Sequence, residues 1–417
     1  KKNIIIWGGG RDGLSAMGQI QKIFPTQKIF IFTDKEAPPE LIAGLQGQGC
    51  VEFIYGNHIV ENLSSTDVVI KSPGISLYRD DIQNAVKKGV RFLSTTNLWF
   101  AEIGDKNIIA VTGTKGKSTT ASIIYHCLKN IGVSVEICGN IGKPLLNYLD
   151  KHHNTDLYIV ELSSYQTADI AYTPKIGILV NLFPEHIDWH KSLDNYYKDK
   201  LRLFNPGHHH HTILNYKDNV TRELTAGWNG IRFFEKDDGI HSRANEIYYG
   251  NKNLGRINNV HLQGEHNRSN ICAALTGIEA AGYDPIKCCD YLDNFVGLPH
   301  RQEVLGIRDG VLFVDDSIST TPETAMAAID RFWGPPITIL LGGFDRKQNY
   351  EALTKFLCLK QLHMVITLPN YGYRIAALRR KEIDRIGTGP ELIEAVDLPS
   401  AVKAAHRYTP PGGIVLL

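Results

Sequence analysis

The stretch VTGTKGKSTTAS, residues 111–122, combines the residue types that bind phosphate groups. Gly113 and Gly116 allow backbone N–H groups to turn towards an anion, whereas Lys117 supplies a positive charge and the Ser118 hydroxyl can bind Mg²⁺. The first glycine of the usual pattern is replaced by valine. Because a strand-like apolar run precedes the loop and a helical pattern follows it, the sequence predicts a nucleotide-binding P-loop.

Polar side chains also follow two later strands of buried type. The run LYIVELSS contains Glu161, and the run KIGILVNL leads into PEHIDWH, which contains His186. Because the carboxyl ends of parallel strands meet at one edge of a sheet, we expect both side chains to lie near Lys117. A carboxylate in that place is a candidate Mg²⁺ ligand, and the same position favours a site role for the histidine over a structural one.

The composition is that of a globular protein and argues against several classes of function. The 417 residues are 43% hydrophobic and carry a net charge of +1, so nothing indicates a nucleic-acid or membrane surface. The seven cysteines are scattered, which favours free thiols in a reducing cytoplasm over a disulfide framework. No apolar run is long enough to cross a bilayer. We expect the histidine run at 208–211 to be a solvated loop.

Strand and helix patterns alternate along the chain, which predicts an α/β fold with three domains. Residues 1–96 open with a strand, a Gly-x-Gly-x-x-Gly turn, a helix and a strand ending at Asp34, as in Rossmann-like domains that bind a pyrophosphate ligand. Residues 97–298 are expected to form a central P-loop ATPase domain with a mostly parallel sheet, and residues 299–417 a second Rossmann-like domain. We expect this last domain to be truncated, because the chain stops within the strand-like run GGIVLL.

Seven short motifs occur in one order along the chain: GTKGKST, ELSSYQ, NLFPEHIDWH, LQGEHNRSN, GLPHRQE, DDS and LLGGFDRK. Together they resemble the Mur ligase family, and in detail its MurD type. The resemblance implies an ATP-dependent ligase that joins glutamate to UDP-N-acetylmuramoyl-L-alanine through an acyl phosphate, in cytoplasmic peptidoglycan precursor synthesis. It also implies two Mg²⁺ ions as cofactors, and a monomer that binds neither nucleic acid nor membrane.

The resemblance implies site residues at the matching motif positions. The residues implied in catalysis are Lys117, Glu161, His186, Lys200 and Arg301. The residues implied in ATP binding are Gly113, Thr114, Gly116, Lys117, Ser118, Thr119, Asn267, Asn270, Arg301 and Asp316. The implied metal ligands are Ser118, Glu161, His186 and Lys200, the last as a carbamylated lysine whose anionic oxygen would bind the ion.

Two further sets of residues are implied for the other substrates. The UDP substrate is expected to contact Gly10, Arg11, Asp12, Thr33, Asp34, Ser72, Gly74 and Asn140. The incoming glutamate is expected to contact Ser317, Thr320, Arg346 and Lys347. Ile318 replaces a lysine that many family members carry, so the isomer of glutamate stays open. D-glutamate is favoured by its frequency in the family, and L-glutamate is the alternative.

Three other functions are open at this stage. A folylpolyglutamate synthetase shares the ATP core, but the opening run IIIWGGGRDG suits a UDP-sugar substrate and has no place in that enzyme. A P-loop switch or motor would hydrolyse nucleotide without an amino acid and would not need Arg301 and Asp316. A nicotinamide-dependent oxidoreductase fits the first glycine turn, but the P-loop argues against it. The ligase accounts for the largest number of motifs.

Overall fold

The structure is a computed structural model that describes residues 3–36, 51–56, 58–64, 67–104, 107–204, 211–319, 321–343, 348–360 and 362–417. The chain divides into two compact units, Lys1–Val296 and Gly297–Leu417. Among the residues singled out from the sequence, Thr320, Arg346, Lys347, His208, His209 and His210 lie outside the described residues. The three domains with boundaries near residues 96 and 298 stay a prediction.

The first sheet has five parallel strands: β1 Ile4–Trp7, β2 Ile29–Thr33, β3 Val51–Tyr55, β4 Val68–Lys71 and β5 Arg91–Ser94. Its helices are α1 Arg11–Ile23, α2 His58–Glu61, α3 Asp80–Lys87 and α4 Thr95–Ile103. The strand order is β3-β2-β1-β4-β5, so the chain fills one side of β1 and then the other. The crevice at the carboxyl ends of β1 and β4 is therefore a topological switch point, where open α/β sheets bind ligands.

The second sheet has six parallel strands: β6 Asn107–Thr112, β7 Val135–Gly139, β8 Leu157–Glu161, β9 Ile176–Leu179, β10 His211–Asn215 and β11 Ile231–Phe234. Its order is β11-β10-β9-β6-β8-β7, which places β6 between β8 and β9. These three strands lead into the P-loop, the ELSSYQ motif and the NLFPEHIDWH motif. The sheet order thus brings the three motifs to one edge.

Helices and a small antiparallel sheet complete the first unit. The helices are α5 Lys117–Asn130, α6 Ser164–Thr167, α7 Ile187–His190, α8 Leu193–Leu201, α9 Asn219–Leu224, α10 Glu265–Ala280 and α11 Pro285–Cys289. Short 3₁₀ helices cover Leu145–Asn154, Val260–Leu262 and Leu292–Asn294. The antiparallel strands are β12 Ile240–Arg243, β13 Glu246–Tyr249 and β14 Lys252–Arg256, and sequence analysis did not predict them.

The side chains of β6 alternate between two cores. Ile109 and Val111 pack in a core with apolar residues of α5 and α10. Ile108 and Ala110 pack in a core that contains Trp99 of α4 and residues of β1. Because successive strand residues face opposite sides, a parallel sheet covered on both faces buries nearly every residue. The first and second sheets therefore share one continuous hydrophobic core.

The second unit has one six-stranded sheet: β15 Glu303–Arg308, β16 Val311–Asp315, β17 Ile337–Gly343, β18 Met364–Asn370, β19 Glu391–Glu394 and β20 Ile414–Leu416. Its helices are α12 Pro322–Arg331, α13 Glu351–Lys360, α14 Tyr371–Ile386 and α15 Leu398–Tyr408. The order is β15-β16-β20-β17-β18-β19, and among these described pairs β15 and β16 alone run antiparallel.

The predicted α/β fold with mostly parallel sheets is confirmed. His211 corrects one detail, because it begins β10 and donates its backbone N–H to Lys175, so this end of the expected histidine loop belongs to a strand. The cysteines within the described ranges are free thiols. None of the described helices has the length and apolar character needed to cross a membrane.

Candidate active site

The P-loop joins β6 to α5 and contains two glycines in conformations that other residues rarely adopt. Gly113 has φ 152° and Gly116 has φ 83°. A Cβ atom on Gly116 would lie 2.3 Å from Oδ1 of Asn270, so glycine at this position allows α10 to approach the loop. The Nζ atom of Lys117 donates to the carbonyl oxygens of Gly113 at 3.0 Å and Thr114 at 2.8 Å. The loop and the amino end of α5 thus have the geometry of an anion site.

Asn181, just after β9, holds the P-loop in shape. Its Oδ1 atom accepts hydrogen bonds from the backbone N–H groups of Thr114 at 3.1 Å and Lys115 at 2.9 Å. Its Nδ2 atom donates to the carbonyl oxygen of Lys115 at 3.0 Å, and the Thr114 hydroxyl bonds with the hydroxyl of Tyr196 at 2.8 Å. Sequence reasoning selected His186 in this segment and missed Asn181. The available signal was an amide directly after a strand at the P-loop edge.

Glu161 ends β8 and is fully buried. Its Oε1 atom accepts a hydrogen bond from Nδ2 of Asn140 at 2.8 Å, whereas its Oε2 atom has no hydrogen-bond partner among the described residues. Asn140, expected beside the diphosphate of the UDP substrate, therefore contacts the candidate metal ligand. A buried carboxylate oxygen without a donor is unfavourable, and a hard cation such as Mg²⁺ is a partner that fits its chemistry.

Lys200 lies in α8 and is 2% exposed. Its Nζ atom donates to the carbonyl oxygen of Gly113 at 2.7 Å, the same oxygen that Lys117 contacts. Burial, and after it the charge of Lys117, hold the pKa of Lys200 well below its usual range. The neutral amine that this environment favours is the form that adds carbon dioxide. The carbamylation implied by the resemblance is therefore chemically compatible with the site.

His186 immediately precedes α7 in a left-handed conformation, with φ 56°. Its Nε2 atom lies 3.6 Å from Glu185, which also binds the ammonium group of Lys115 at 2.5 Å. Burial lowers the pKa of His186, the charge of Glu185 raises it, and the charges of Lys200, Lys117 and Lys115 lower it. His186 therefore lies in the field of the same lysines that surround the P-loop. Its neutral imidazole is the form that can bind a metal.

Asn267 and Asn270, two of the candidates for ATP binding, lie on α10, beside the P-loop helix. Nδ2 of Asn270 donates to Oδ1 of Asn267 at 3.2 Å, and Asn267 in turn donates to the carbonyl oxygens of His261 and Gln263. The two asparagines are three positions apart and share one helix face. Since Asn270 also lies against Gly116, the structure brings this pair to the P-loop, next to the amino end of α5, which contains Ser118 and Thr119.

The glycine turn of the first sheet requires glycine at two positions. Gly8 has φ 115°, and a Cβ atom on Gly13 would lie 1.9 Å from the carbonyl oxygen of Gly8. Gly10 caps the amino end of the 13-residue helix α1. The hydroxyl of Ser72, after β4, donates to the carbonyl oxygen of Gly8 at 3.3 Å. The glycine turn and the loop after β4 thus meet at the switch point of the sheet.

Asp34, another candidate of the first sheet, has a charged partner. Asp34 accepts a hydrogen bond from Nη1 of Arg79 at 2.6 Å, and the same guanidinium group binds Asp81 and lies 5.0 Å from the Trp7 ring centroid. Sequence reasoning missed Arg79. Its partner Asp34 follows β2, where Thr33 has a buried hydroxyl without a hydrogen-bond partner within the described part of the chain.

Arg11 and Asp12 open helix α1. Arg11 donates from Nη2 to the carbonyl oxygen of Gly142 at 3.1 Å, which links α1 to the loop after β7. Burial raises the pKa of Asp12, and the charge of Arg11 opposes that effect. Arg11, an expected contact of the UDP substrate, therefore also binds a loop of the second sheet.

The second unit contains Arg301, Asp316 and Ser317. Asp316 is 4% exposed, and it accepts hydrogen bonds from the backbone N–H of Gln302 at 3.1 Å and the hydroxyl of Ser319 at 2.7 Å. Burial raises the pKa of Asp316, and the charge of the exposed Arg301 partly offsets this. Within this unit, Asp316 and Ser317 line a cavity of about 260 Å³ together with Tyr350, Tyr371 and residues of α12, β17, β18 and β20.

Family comparisons identify the chain. The family model of the Mur ligase middle domain matches residues 111–277, and that of the MurD-like N-terminal domain of Mur ligases matches residues 2–94. A UDP-N-acetylmuramoyl-L-alanine--L-glutamate ligase of Xanthomonas campestris pv. campestris (strain 8004) is 35% identical over an alignment of 429 residues, which covers 100% of this chain and 90% of that protein. The chain belongs to the Mur ligase family.

Other Mur ligases agree with this assignment. A protein of the same name from Xylella fastidiosa (strain 9a5c) is 36% identical over 425 residues, covering 99% of this chain and 89% of its own. The UDP-N-acetylmuramate-alanine ligase MurC of Thermotoga maritima has a similar structure, with a TM-score of 0.62 at 19% identity over 100% of this chain and 95% of its own. This likeness concerns the fold. The predicted Mur ligase resemblance and ligase class are confirmed, and the roles of single residues stay predictions.

Proposed function

We propose that this Mur ligase joins L-glutamate to UDP-N-acetylmuramoyl-L-alanine and converts ATP to ADP and phosphate. The observation that carries the proposal is the buried amine of Lys200 on the P-loop carbonyl of Gly113. A P-loop by itself serves switches and motors as well as ligases. A second lysine at the loop, with Glu161 and His186 at the same sheet edge, suits a site that transfers a phosphoryl group to a bound acceptor.

The L isomer is proposed over the D isomer that family frequency favours. The relatives from Xanthomonas and Xylella, which match nearly the whole chain, are both named for L-glutamate. Ile318 supports the same choice, because it replaces a lysine of many family members and is 46% exposed beside Ser317. A pocket without that cation would have to bind the glutamate carboxylates through other groups. Dependence on D-glutamate is the alternative result, and the phosphate-release experiment distinguishes the two isomers.

The first chemical step is attack by the alanine carboxylate on the γ-phosphorus of ATP. A bond forms between a carboxylate oxygen and phosphorus, the bond to the β–γ bridging oxygen breaks, and ADP leaves with that electron pair. Such a step needs alignment and neutralisation of negative charge more than covalent help. Lys117 is the main candidate for this charge near the γ-phosphate, and Arg301 is the second. The expected contribution of one such contact is about 3 kcal/mol.

Glu161, His186, Ser118 and Lys200 are the residues that would hold Mg²⁺. Their fit rests on the buried Oε2 atom of Glu161 without a hydrogen-bond donor in the described chain, and on the lowered pKa of His186. The ions would neutralise the phosphate oxygens of ATP when bound. Lys200 would contribute as its carbamate, for which its neutral amine is the precursor. Asn140 would orient Glu161 through its 2.8 Å hydrogen bond.

The first sheet would hold the UDP part of the substrate. Its switch point combines the glycine turn, the amino end of α1 and Ser72, which is a suitable place for a diphosphate. A folylpolyglutamate synthetase has no use for this sheet, so the MurD-like match at residues 2–94 favours the UDP substrate.

The second step is attack by the glutamate amine on the acyl carbon. A carbon–nitrogen bond forms, the acyl carbon–oxygen bond of the tetrahedral intermediate breaks, and inorganic phosphate leaves with the electron pair. The amine must be neutral, so its proton goes to solvent or to a nearby base. Ser317 is the candidate on the glutamate side that the structure describes, and Thr320, Arg346 and Lys347 stay predictions.

The test is phosphate release by the purified protein with ATP, Mg²⁺ and UDP-N-acetylmuramoyl-L-alanine, with L- or D-glutamate added in parallel. We expect release that depends on L-glutamate and forms the dipeptide product. Dependence on D-glutamate would overturn the isomer and keep the ligase. Hydrolysis that is independent of both isomers would indicate a nucleotide switch and would contradict the proposal.

A further inference from the structure

The loop after β4 is fastened to α7 of the second sheet by Trp189. The indole Nε1 atom donates to the carbonyl oxygen of Gly74 at 3.1 Å, and the hydroxyl of Ser76 donates to the carbonyl oxygen of Trp189 at 2.6 Å. The buried ammonium group of Lys71 donates to the carbonyl oxygens of Ser72 and Ile75 and lies 5.8 Å from the Trp189 ring centroid. The loop that contains Ser72 and Gly74 is therefore held in one shape from both ends.

A second contact joins the same loop to α8. The hydroxyl of Tyr78 donates to the carboxylate of Asp199 at 3.0 Å, and that carboxylate also bonds with Nδ1 of His190 at 2.6 Å. Nε2 of His190 in turn lies 3.0 Å from the hydroxyl of Ser164, at the start of α6. His190, Asp199 and Ser164 are 0%, 4% and 2% exposed. In the dry interior such a chain of satisfied polar groups is rigid and geometrically specific.

The residues of this chain are neighbours of the candidate metal ligands. His186 begins the turn that contains Trp189 and His190, and Tyr165 lies against both the His186 and Trp189 rings, at centroid distances of 5.1 Å and 4.8 Å. Asp199 directly precedes Lys200 in α8. Helix α7 therefore contacts the loop after β4 through Trp189. Helix α8 contacts that loop through Asp199 and the P-loop through Lys200.

We propose that Trp189, His190 and Asp199 form a bridge that couples the UDP site to the nucleotide site. This coupling rests on the proposed function: when the loop Ser72–Tyr78 changes conformation on binding the UDP substrate, the bridge shifts His186 and Lys200. Tyr78 and Trp189 are then positioning residues, which act through the candidate metal ligands and do not touch ATP. Packed interiors shift between discrete arrangements, so a small displacement of the loop moves the two helices together.

The bridge is not needed simply to hold the two sheets together. A separate set of contacts does this along α1, where Gln19 donates to the carbonyl oxygen of Leu146 at 2.9 Å and Lys22 pairs with Asp150 at 2.6 Å. These contacts touch neither the glycine turn nor the P-loop. The Gln19 hydrogen bond provides a matched control, because it also joins the first sheet's domain to that of the second sheet but lies away from the UDP site and the nucleotide site.

The experiment compares Tyr78→Phe with Gln19→Leu in the full chain. Binding of UDP-N-acetylmuramoyl-L-alanine is measured by calorimetry with and without Mg²⁺ and a non-hydrolysable ATP analogue. We expect the analogue to raise the affinity of the wild type at least about fivefold, and the effect to fall below about twofold in Tyr78→Phe. Gln19→Leu should keep the wild-type coupling. Ser76→Ala, which removes the bond to Trp189, provides a second variant if Tyr78→Phe does not fold.

Three results would overturn the bridge. They are absence of coupling in the wild type, unchanged coupling in both bridge variants, and equal loss of coupling in Gln19→Leu. Each of these is read from binding, so it leaves the ligase reaction standing if phosphate release with glutamate is intact. Failure of the wild type to bind the UDP substrate at all would instead remove the proposed function and the bridge with it.

Discussion

The Nζ atoms of Lys200 and Lys117 both donate to the carbonyl oxygen of Gly113, at 2.7 Å and 3.0 Å. Lys200 approaches from a helix after β9, whereas Lys117 comes from the helix after the P-loop itself. Two potential cations at one carbonyl are unfavourable for each other, which contributes to the low pKa of Lys200. The pair indicates that the loop is organised for a highly charged ligand, and the variants below test each lysine separately.

Lys117→Ala is expected to lower kcat about a hundredfold and to leave the fold intact, because it removes the charge that we propose acts on the transferred phosphoryl group. Turnover with ATP and L-glutamate, together with the circular dichroism spectrum, measures both effects. The matched control is Lys129→Ala, an exposed lysine near the carboxyl end of the same helix, which should keep normal turnover. Near-normal turnover of Lys117→Ala would remove this residue from the mechanism.

Lys200→Met is expected to lower activity without lowering stability. If Lys200 holds a metal as proposed, its loss should reduce kcat about a hundredfold. The free energy of unfolding should stay the same or rise, since methionine fills the volume without the cost of burying an amine that is 2% exposed. Turnover and urea denaturation provide the two values. A large loss of stability with normal turnover would assign Lys200 to the structure alone.

Gly116→Ala is expected to weaken nucleotide binding beyond what its backbone conformation explains. Gly116 and Gly132 have nearly equal φ angles, 83° and 87°, but a Cβ atom at 116 would lie 2.3 Å from Asn270, and one at 132 would meet nothing within 4 Å. Both alanine variants should lose about 1 kcal/mol from the left-handed conformation. Fluorescent-nucleotide titration should show that Gly116→Ala binds nucleotide at least tenfold more weakly than the wild type, a loss of roughly 1.4 kcal/mol. Gly132→Ala should bind nucleotide normally.

The pH dependence of stability should depend on Lys71. Burial lowers its pKa from 10.5 to about 8, and the charge of Asp169 partly opposes this. Below pH 8 both the folded and the unfolded chain carry the proton on Lys71, so the folded state bears the full free-energy cost of burying that charge. Between pH 8 and 10.5 the folded state releases the proton first, so the unfolded state binds more protons and stability rises with pH. The full effect is about 3 kcal/mol.

Denaturation curves at pH 7.5 and about pH 10 test this prediction, with wild type compared with Lys71→Met. The difference between the two proteins isolates Lys71 from the other groups that titrate in this range. Relative to Lys71→Met, the wild type should gain stability at the higher pH. The exposed Lys87→Met provides the control, because its own difference from wild type should change little with pH. If the difference in stability between the wild type and Lys71→Met stays constant with pH, the buried and destabilised charge of Lys71 is contradicted.

Local sequence was enough to predict the parts of the site whose neighbours in space are neighbours in the chain. The P-loop is one continuous turn, so its glycines, Lys117 and Ser118 could be assigned from residue types alone. Glu161 and His186 required one further rule, that parallel strands share an edge. The sheet order β8-β6-β9 confirms that expectation for the strands that lead to these residues.

The residues missed by sequence analysis work through contacts between distant segments. Asn181 binds the P-loop backbone 66 and 67 positions away, and Trp189 binds Gly74 at a separation of 115. Nothing in an isolated asparagine or tryptophan indicates such a partner, because hydrogen bonds to backbone carry no sequence pattern. Arg79 was missed for the same reason, since its role depends on Asp34 and on the Trp7 ring beneath it.

The core shared by the first two sheets has a consequence for how the protein unfolds. Trp99, Phe100 and Ile103 of α4 pack in one apolar cluster with Ile6 and Ile108, which come from different sheets. Neither sheet can lose its structure without exposing apolar surface of the other, so residues 1–296 should melt as one cooperative calorimetric transition. A fragment ending at residue 96 would expose Ile6 and Ile31 to water, and it should aggregate when expressed alone.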